Sequence, residues 1–114
     1  MSENRIAERI GRNDATFRAA NDRISAAAGE HDLVEAVPFI CECAEESCSE
    51  IVRLSLEEYE GVRGDATLFL NVPGHEVAAG AYGEVVARND RFVVVRKLGR
   101  AADVTVELDP RSPA

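Results

Sequence analysis

The first third of the chain has a repeating pattern of apolar and small residues that predicts one long helix. Spacings of four and three alternate along this stripe, at Ile6, Ile10, Asn13, Phe17, Ala20, Ile24 and Ala27. Gly29 follows, and glycine is a typical residue at the end of a helix. The pattern therefore predicts an N-terminal amphipathic helix over residues 1–29.

This helix needs something to pack against. Gly11 costs a helix about 1 kcal/mol relative to alanine, and Asn13 places an amide on the apolar stripe. The stripe is expected to pack either on the rest of the chain or on a partner. A partner would be another protein or a second copy of the chain, held through four residues of the stripe: Ile6, Ile10, Phe17 and Ile24.

From Val37 onward the pattern changes to that of short strands. Residues 37–41 and 51–54 predict two strands of a hairpin that carries three cysteines near its tip. Ser55 and Glu58 have the spacing of a capping box, which predicts a short helix that reaches about Arg63.

The last part of the chain predicts further strands. Residues 68–72 are apolar and β-prone, and the turn Pro73-Gly74 follows them. Residues 84–88 and 92–97 predict a second hairpin, while residues 101–108 fit either a helix or a strand. The expected class is α+β, with a long N-terminal helix followed by a small antiparallel β domain that contains a short helix.

Composition limits what the chain can be. With 114 residues, 46% hydrophobic and 30% charged, it is long enough for one globular domain. We expect the helix and a domain over residues 37–109 to form one compact unit. No apolar run approaches the roughly 18 residues of a membrane span, and the start of the chain does not resemble a targeting segment. A cytoplasmic location is therefore expected.

The charge is unevenly distributed. The net charge of -8 weighs against nucleic-acid binding, which relies on a basic surface. Residues 29–87 contain two basic and thirteen acidic residues, whereas residues 88–100 contain five basic residues and one acidic residue. The basic stretch is expected either to balance acidic neighbours within the fold or to meet an acidic partner.

Cys41, Cys43 and Cys48 form a C-x-C-x4-C cluster that predicts a metal site. The first two side chains point to the same side of an extended chain, and the four residues between Cys43 and Cys48 allow the third to turn back toward them. Zinc takes thiolate and imidazole ligands in a tetrahedral shell. His75, which follows a rigid turn, is preferred as the fourth ligand over His31.

Other interpretations of the cluster are possible. The thiols are alternatively small buried side chains, or a disulfide or redox pair that leaves one cysteine over. A zinc site with another fourth ligand and an iron–sulfur centre are further alternatives. The polar residues between the cysteines argue against a simple core segment.

Several motifs in residues 39–97 resemble a family of small bacterial proteins of uncharacterised function. They are Phe39-x-Cys41-Glu42-Cys43-x4-Cys48, Leu54-x-Leu56-x-x-Tyr59-Glu60-x-Val62-Arg63, Phe69, Gly74-His75-Glu76 and Val94-Val95-x-Lys97. The resemblance implies that His75 belongs with the cysteines in a zinc site. Residues 78–83 depart from the family pattern, and the family has no established activity to transfer.

The sequence contains no recognisable catalytic constellation. No serine–histidine–aspartate or cysteine–histidine arrangement is legible, and a Cys3His zinc shell leaves no open position for water. We expect a non-enzymatic module, stabilised by structural zinc, that acts in protein interaction or regulation. The alternatives are a thiol switch that releases zinc on oxidation and a nucleic-acid module that uses the basic 88–100 hairpin.

Overall fold

The computed structural model describes residues 3–111 and has the predicted α+β architecture. The helices are α1 Glu3–Glu30, α2 Leu56–Arg63 and α3 Gly99–Glu107, together with a 3-10 helix over His75–Tyr82. The strands are β1 Val37–Ile40, β2 Ile51–Leu54, β3 Leu68–Asn71, β4 Gly83–Arg88 and β5 Val93–Lys97. Both predicted hairpins are confirmed.

Two antiparallel sheets form the β part. β1 pairs with β2, and Phe39 lies opposite Val52. The second sheet has the strand order β3-β5-β4, with a bulge in β4 between Val85 and Ala87. β5 is central, and Val93, Val94 and Val95 are all buried, as expected for a strand covered on both faces.

The largest apolar cluster lies between the β1-β2 hairpin, α2 and the second sheet. Phe39 and Tyr59 stack in it with ring centroids 4.2 Å apart. Cys41 and Cys43 belong to the same cluster, so the tip of the hairpin is anchored in the core. The capping box of α2 is confirmed, because the Glu58 N–H donates to Ser55 Oγ at 3.0 Å and the Ser55 N–H donates to Glu58 Oε1 at 2.9 Å.

α1 packs along α3 and also contacts β1. Gly11 makes the contact with α3 possible: a Cβ atom at this position would lie 2.8 Å from Val104 Cβ and 2.9 Å from the Ala101 carbonyl oxygen. α3 occupies the segment for which the sequence left helix and strand open. The helix α1 ends at Glu30, one residue beyond the predicted stop at Gly29.

The buried face of α1 is rotated by about one residue from the predicted stripe. The buried positions are Ala7, Ile10, Gly11, Asp14, Ala15, Arg18, Asn21, Ser25 and Ala28. Phe17 is only half-buried and Ala27 is exposed. Ile6 and Ile24 pack against apolar clusters of the same chain. The helix thus packs on the rest of its own chain, as one of the two expectations had it. Binding of a partner through the stripe stays a prediction.

Polar side chains account for this rotation. Asp14 and Lys97 form an ion pair at 2.5 Å in which both side chains are 0% exposed. Arg18 donates to the carbonyl oxygens of Ala66 at 2.7 Å and Thr105 at 2.8 Å, and its guanidinium lies 5.1 Å from the Phe69 ring centroid. Because these partners come from distant segments, an apolar periodicity alone does not reveal the face that they bury.

Candidate metal centre

The structure brings all four predicted residues together. Cys41 and Cys43 follow β1, Cys48 lies in the turn before β2, and His75 is the first residue of the 3-10 helix. Their ligand atoms all lie within 4.8 Å of one another. The Sγ atoms of Cys41 and Cys48 lie 3.6 and 3.5 Å from His75 Nδ1. Around a tetrahedral zinc ion, Zn–S and Zn–N bonds of about 2.3 and 2.05 Å put sulfur and nitrogen about 3.5 Å apart.

The four side chains differ in their exposure. Cys41 and Cys43 are 0% and 1% exposed, because they extend the side of β1 that carries Val37 and Phe39 into the core. Cys48 and His75 are half-buried. The group therefore has an inner half in the core, Cys41 and Cys43, and an outer half at the surface, Cys48 and His75.

The turn Pro73-Gly74 places the histidine. Gly74 has φ of +97°, a left-handed conformation that favours glycine, and the His75 N–H donates to the Val72 carbonyl oxygen at 2.9 Å. The Gly74 N–H donates to Glu76 Oε1 at 2.7 Å. This turn directs the imidazole back toward the cysteines immediately after β3.

Asparagine side chains of α1 hold the cysteine segment from one side. Asn21 donates to the Ile40 carbonyl oxygen and accepts from the Ile40 N–H, both at 2.8 Å. Asn13 donates to the Cys43 carbonyl oxygen at 3.0 Å. These bonds fix the backbone on both sides of Cys41, which is how outer groups orient metal ligands.

Glu42 links the cysteine segment to α1 and β3. Its carboxylate accepts from Asn21 Nδ2 at 2.9 Å and from the Leu70 N–H at 3.0 Å, and its own N–H donates to the Leu70 carbonyl oxygen at 2.8 Å. Burial raises the pKa of Glu42 to about 7. Glu42 and Asn21 are not among the predicted site residues, although an acidic residue between two cysteines and an asparagine inside a helix are both signals that could have marked them.

The inner thiols are in a low-dielectric environment. Burial raises the pKa of both Cys41 and Cys43, because it disfavours the thiolate. The Val72 N–H donates to Cys41 Sγ at 3.2 Å and partly offsets this effect. A divalent cation bound to the sulfurs compensates their charge far more strongly. The four side chains can thus hold a metal ion.

A cleft of about 480 Å³ opens beside the outer half of the group. Cys43, Cys48 and His75 line it, together with Val77 and Ala78. Val77 is 77% exposed. The cleft thus lies against Cys48 and His75, the two half-buried members of the group.

His31 and the basic stretch lie elsewhere. His31 is exposed in the turn after α1 and is not part of the four-residue group. Each basic residue of 88–100 is within 4 Å of a carboxylate: the pairs are Arg88–Glu76, Arg91–Glu58, Arg96–Asp65, Lys97–Asp14, Arg100–Glu8 and Arg100–Glu107. This pairing favours the interpretation in which the stretch balances acidic neighbours within the fold.

Comparison of the chain with family models, with curated proteins and with solved structures finds no match. The resemblance to a family of small bacterial proteins therefore stays a prediction. Within residues 3–111, none of the helices combines the length and the apolarity that crossing a bilayer demands. The four-residue cluster is the feature of this chain that indicates its chemistry.

Proposed function

We propose that this protein is a non-enzymatic zinc-binding module in which Cys41, Cys43, Cys48 and His75 hold one zinc ion. The observation that carries the proposal is the convergence of three sulfurs and one imidazole nitrogen within 4.8 Å. Thiolates select soft or borderline metals such as zinc, and a tetrahedral shell suits three sulfurs and one nitrogen. Magnesium and calcium prefer oxygen ligands and fit this set poorly.

The ligand set supports a structural role for the zinc. Four protein ligands fill the tetrahedral shell and leave no position for an activated water molecule. The metal would join the end of β1 to the turn after β3, two segments about 35 residues apart in the sequence, and so restrict the unfolded chain. A cytoplasmic location, where thiols stay reduced, is part of the proposal, and all three cysteines are free in the structure.

We further propose that the module acts through contact with another protein. The cleft beside the centre supports this, because the exposed Val77 lines it together with the acidic residues Glu45 and Glu50. Affinity capture with the wild type, Val77→Asp and the matched surface variant Val106→Asp tests it. A partner that binds the wild type and Val106→Asp but not Val77→Asp is the expected result, and equal capture by all three would reject this surface.

X-ray absorption spectroscopy of the purified, zinc-loaded protein tests the centre directly. The expected shell has three sulfurs at about 2.3 Å and one nitrogen at about 2.0–2.1 Å. A shell made of oxygen and nitrogen, or of four sulfurs, would contradict the assignment. Removal of zinc by a chelator should also lower the melting temperature, and a melting temperature that does not change would reject the structural role.

A further inference from the structure

The outer half of the metal centre differs from the inner half in how it is attached to the protein. The backbone around Cys41 and Cys43 is fixed by bonds to other elements, including Asn13 to the Cys43 carbonyl oxygen and the Cys41 N–H to the Glu50 carbonyl oxygen at 2.9 Å. Cys48 lies in a turn that contains hydrogen bonds between its own residues: the Cys48 N–H donates to the Glu45 carbonyl oxygen at 3.0 Å, and Ser47 Oγ donates to the Glu45 carboxylate at 2.9 Å. Cys48 also packs against the largest apolar cluster, but within residues 3–111 the hydrogen bonds of this turn do not join it to α1 or β3 in the way that those of Cys43 and Glu42 do.

The sulfur atoms also differ in their surroundings. Cys41 Sγ accepts a hydrogen bond from the Val72 N–H, which reduces the negative charge that a thiolate presents to an electrophile. Cys48 Sγ lies 3.5 Å from His75 Nδ1, and the half-buried Cys48 side chain also packs against the largest apolar cluster. Exposure and thiolate character together govern the oxidation of cysteines. Of the three cysteines, Cys48 is the half-buried one, whereas Cys41 and Cys43 are buried.

A second thiol lies close enough to react with an oxidised Cys48. Cys43 lines the same cleft, and its Sγ lies within 4.8 Å of Cys48 Sγ. A disulfide needs an S–S distance of about 2.05 Å, so the sulfurs must approach by no more than about 2.8 Å. A shift of the turn that carries Cys48 would supply this approach, whereas a bridge between Cys41 and Cys43 would require a tight C-x-C ring inside the core.

We propose that Cys48 is the site at which hydroperoxides oxidise the zinc-loaded centre, and that Cys43 completes the reaction by forming a disulfide with it. This inference rests on the proposed zinc-binding function. The Cys48 thiolate attacks one peroxide oxygen, the O–O bond breaks, and hydroxide or alkoxide leaves to give a sulfenic acid. The Cys43 thiolate then attacks that sulfur, the S–O bond breaks, and hydroxide leaves.

Two thiolates lose two electrons in this sequence and the peroxide gains them. The two anions that leave take up protons from water. With Cys43 and Cys48 joined in a disulfide, only Cys41 and His75 of the four residues would still be able to hold the metal, so oxidation would release zinc. Reduction of the disulfide by a dithiol regenerates two thiols, which bind zinc again and release their protons.

The experiment uses the full chain loaded with zinc, and zinc per chain is measured before oxidant is added. Hydrogen peroxide is then added, zinc release is followed with a chelating dye, and samples are alkylated and mapped by mass spectrometry. The expected result is release of zinc in step with a Cys43–Cys48 disulfide, with Cys41 alkylated, and recovery of zinc binding after reduction. A first disulfide that contains Cys41, or zinc release without any disulfide, would overturn the inference.

A matched pair of surface variants tests the route through the cleft. Val77→Trp places a large side chain at the cleft, whereas Val106→Trp makes the same change at another exposed valine, on α3. Both should bind one zinc ion, and Cys48 oxidation should be several-fold slower in Val77→Trp only. Equal oxidation rates would reject the cleft as the route. A chain that binds no zinc before oxidation would instead overturn the proposed function itself.

Discussion

Gly11 offers the sharpest test of the packing between α1 and α3, because two physical effects of replacing it have opposite signs. Alanine is favoured over glycine inside a helix by about 1 kcal/mol. A Cβ atom at this position, however, would lie 2.8 Å from Val104 Cβ and 2.9 Å from the Ala101 carbonyl oxygen. Carbon atoms in good contact are about 3.5–4.0 Å apart, so the helices would have to separate by up to about 1 Å.

The steric effect should dominate in Gly11→Ala. Neither a backbone oxygen nor the Cβ of a β-branched residue can rotate away, so the cost should fall in the upper part of the roughly 1–3 kcal/mol range for overpacking. After the gain in helix propensity is subtracted, we expect a net loss of about 1–2 kcal/mol in the free energy of unfolding. In a domain of this size, this corresponds to a fall of roughly 4–8 °C in melting temperature.

Gly61→Ala is the matched control. Gly61 lies in α2, and a Cβ atom there would meet nothing within 4 Å. This substitution should stabilise the protein by about 1 kcal/mol. Urea unfolding of both variants, followed by circular dichroism, measures the two effects. Stabilisation of similar size in both variants would refute the close approach of α1 to α3.

Three further predictions concern stability. Asp14→Ala leaves the Lys97 ammonium buried without its partner and should lower the free energy of unfolding by about 3–5 kcal/mol. The double variant Asp14→Leu/Lys97→Met removes both charges and should recover most of that loss in urea unfolding. Equal losses in the single and double variants would refute the ion pair. Ser55→Ala removes the side-chain acceptor for the Glu58 N–H and should lower the free energy of unfolding by about 1 kcal/mol in the same measurement. Ser49→Ala, a serine outside the capping box, is the control and should leave the free energy of unfolding unchanged. The Arg63 guanidinium lowers the pKa of Asp109, so the Asp109 carboxylate contributes stability that is present above its unfolded pKa of about 3.9 and is lost as the pH falls toward its folded pKa. In Asp109→Asn, the free energy of unfolding should therefore fall less steeply below about pH 4 than in the wild type. The same pH profile in both proteins would contradict this role.

The elements that depend on local patterns could be predicted from the sequence. The capping box fixes the start of α2, and the turn at Asn89 separates two strands rich in β-branched residues. The convergence of Cys41 and Cys43 follows from their spacing, because side chains at i and i+2 of an extended chain share a side, and the four residues before Cys48 allow it to turn back toward them. In each case, the residues that determine the structure are neighbours in the sequence.

Features that depend on distant partners could not be predicted in this way. The buried face of α1 is set by Asp14, Arg18 and Asn21, whose partners lie on other elements. The segment of α3 contains Val104-Thr105-Val106, which is β-prone, yet it is helical because Val104 packs against Gly11 of α1. Asn21 and Glu42 support the metal centre through bonds that only the folded chain reveals.

The central claim is that His75 completes a zinc site with the three cysteines, and the two histidines of the chain provide a direct test. His75→Ala removes the proposed fourth ligand, while His31→Ala removes an exposed imidazole outside the cluster. Elemental analysis and competition with a chelator give the zinc content and the relative affinity of each variant. We expect one zinc ion per chain in the wild type and in His31→Ala, and an affinity at least about tenfold lower in His75→Ala. A wild type without zinc, or a His75→Ala variant that binds zinc as tightly as His31→Ala, would contradict the assignment.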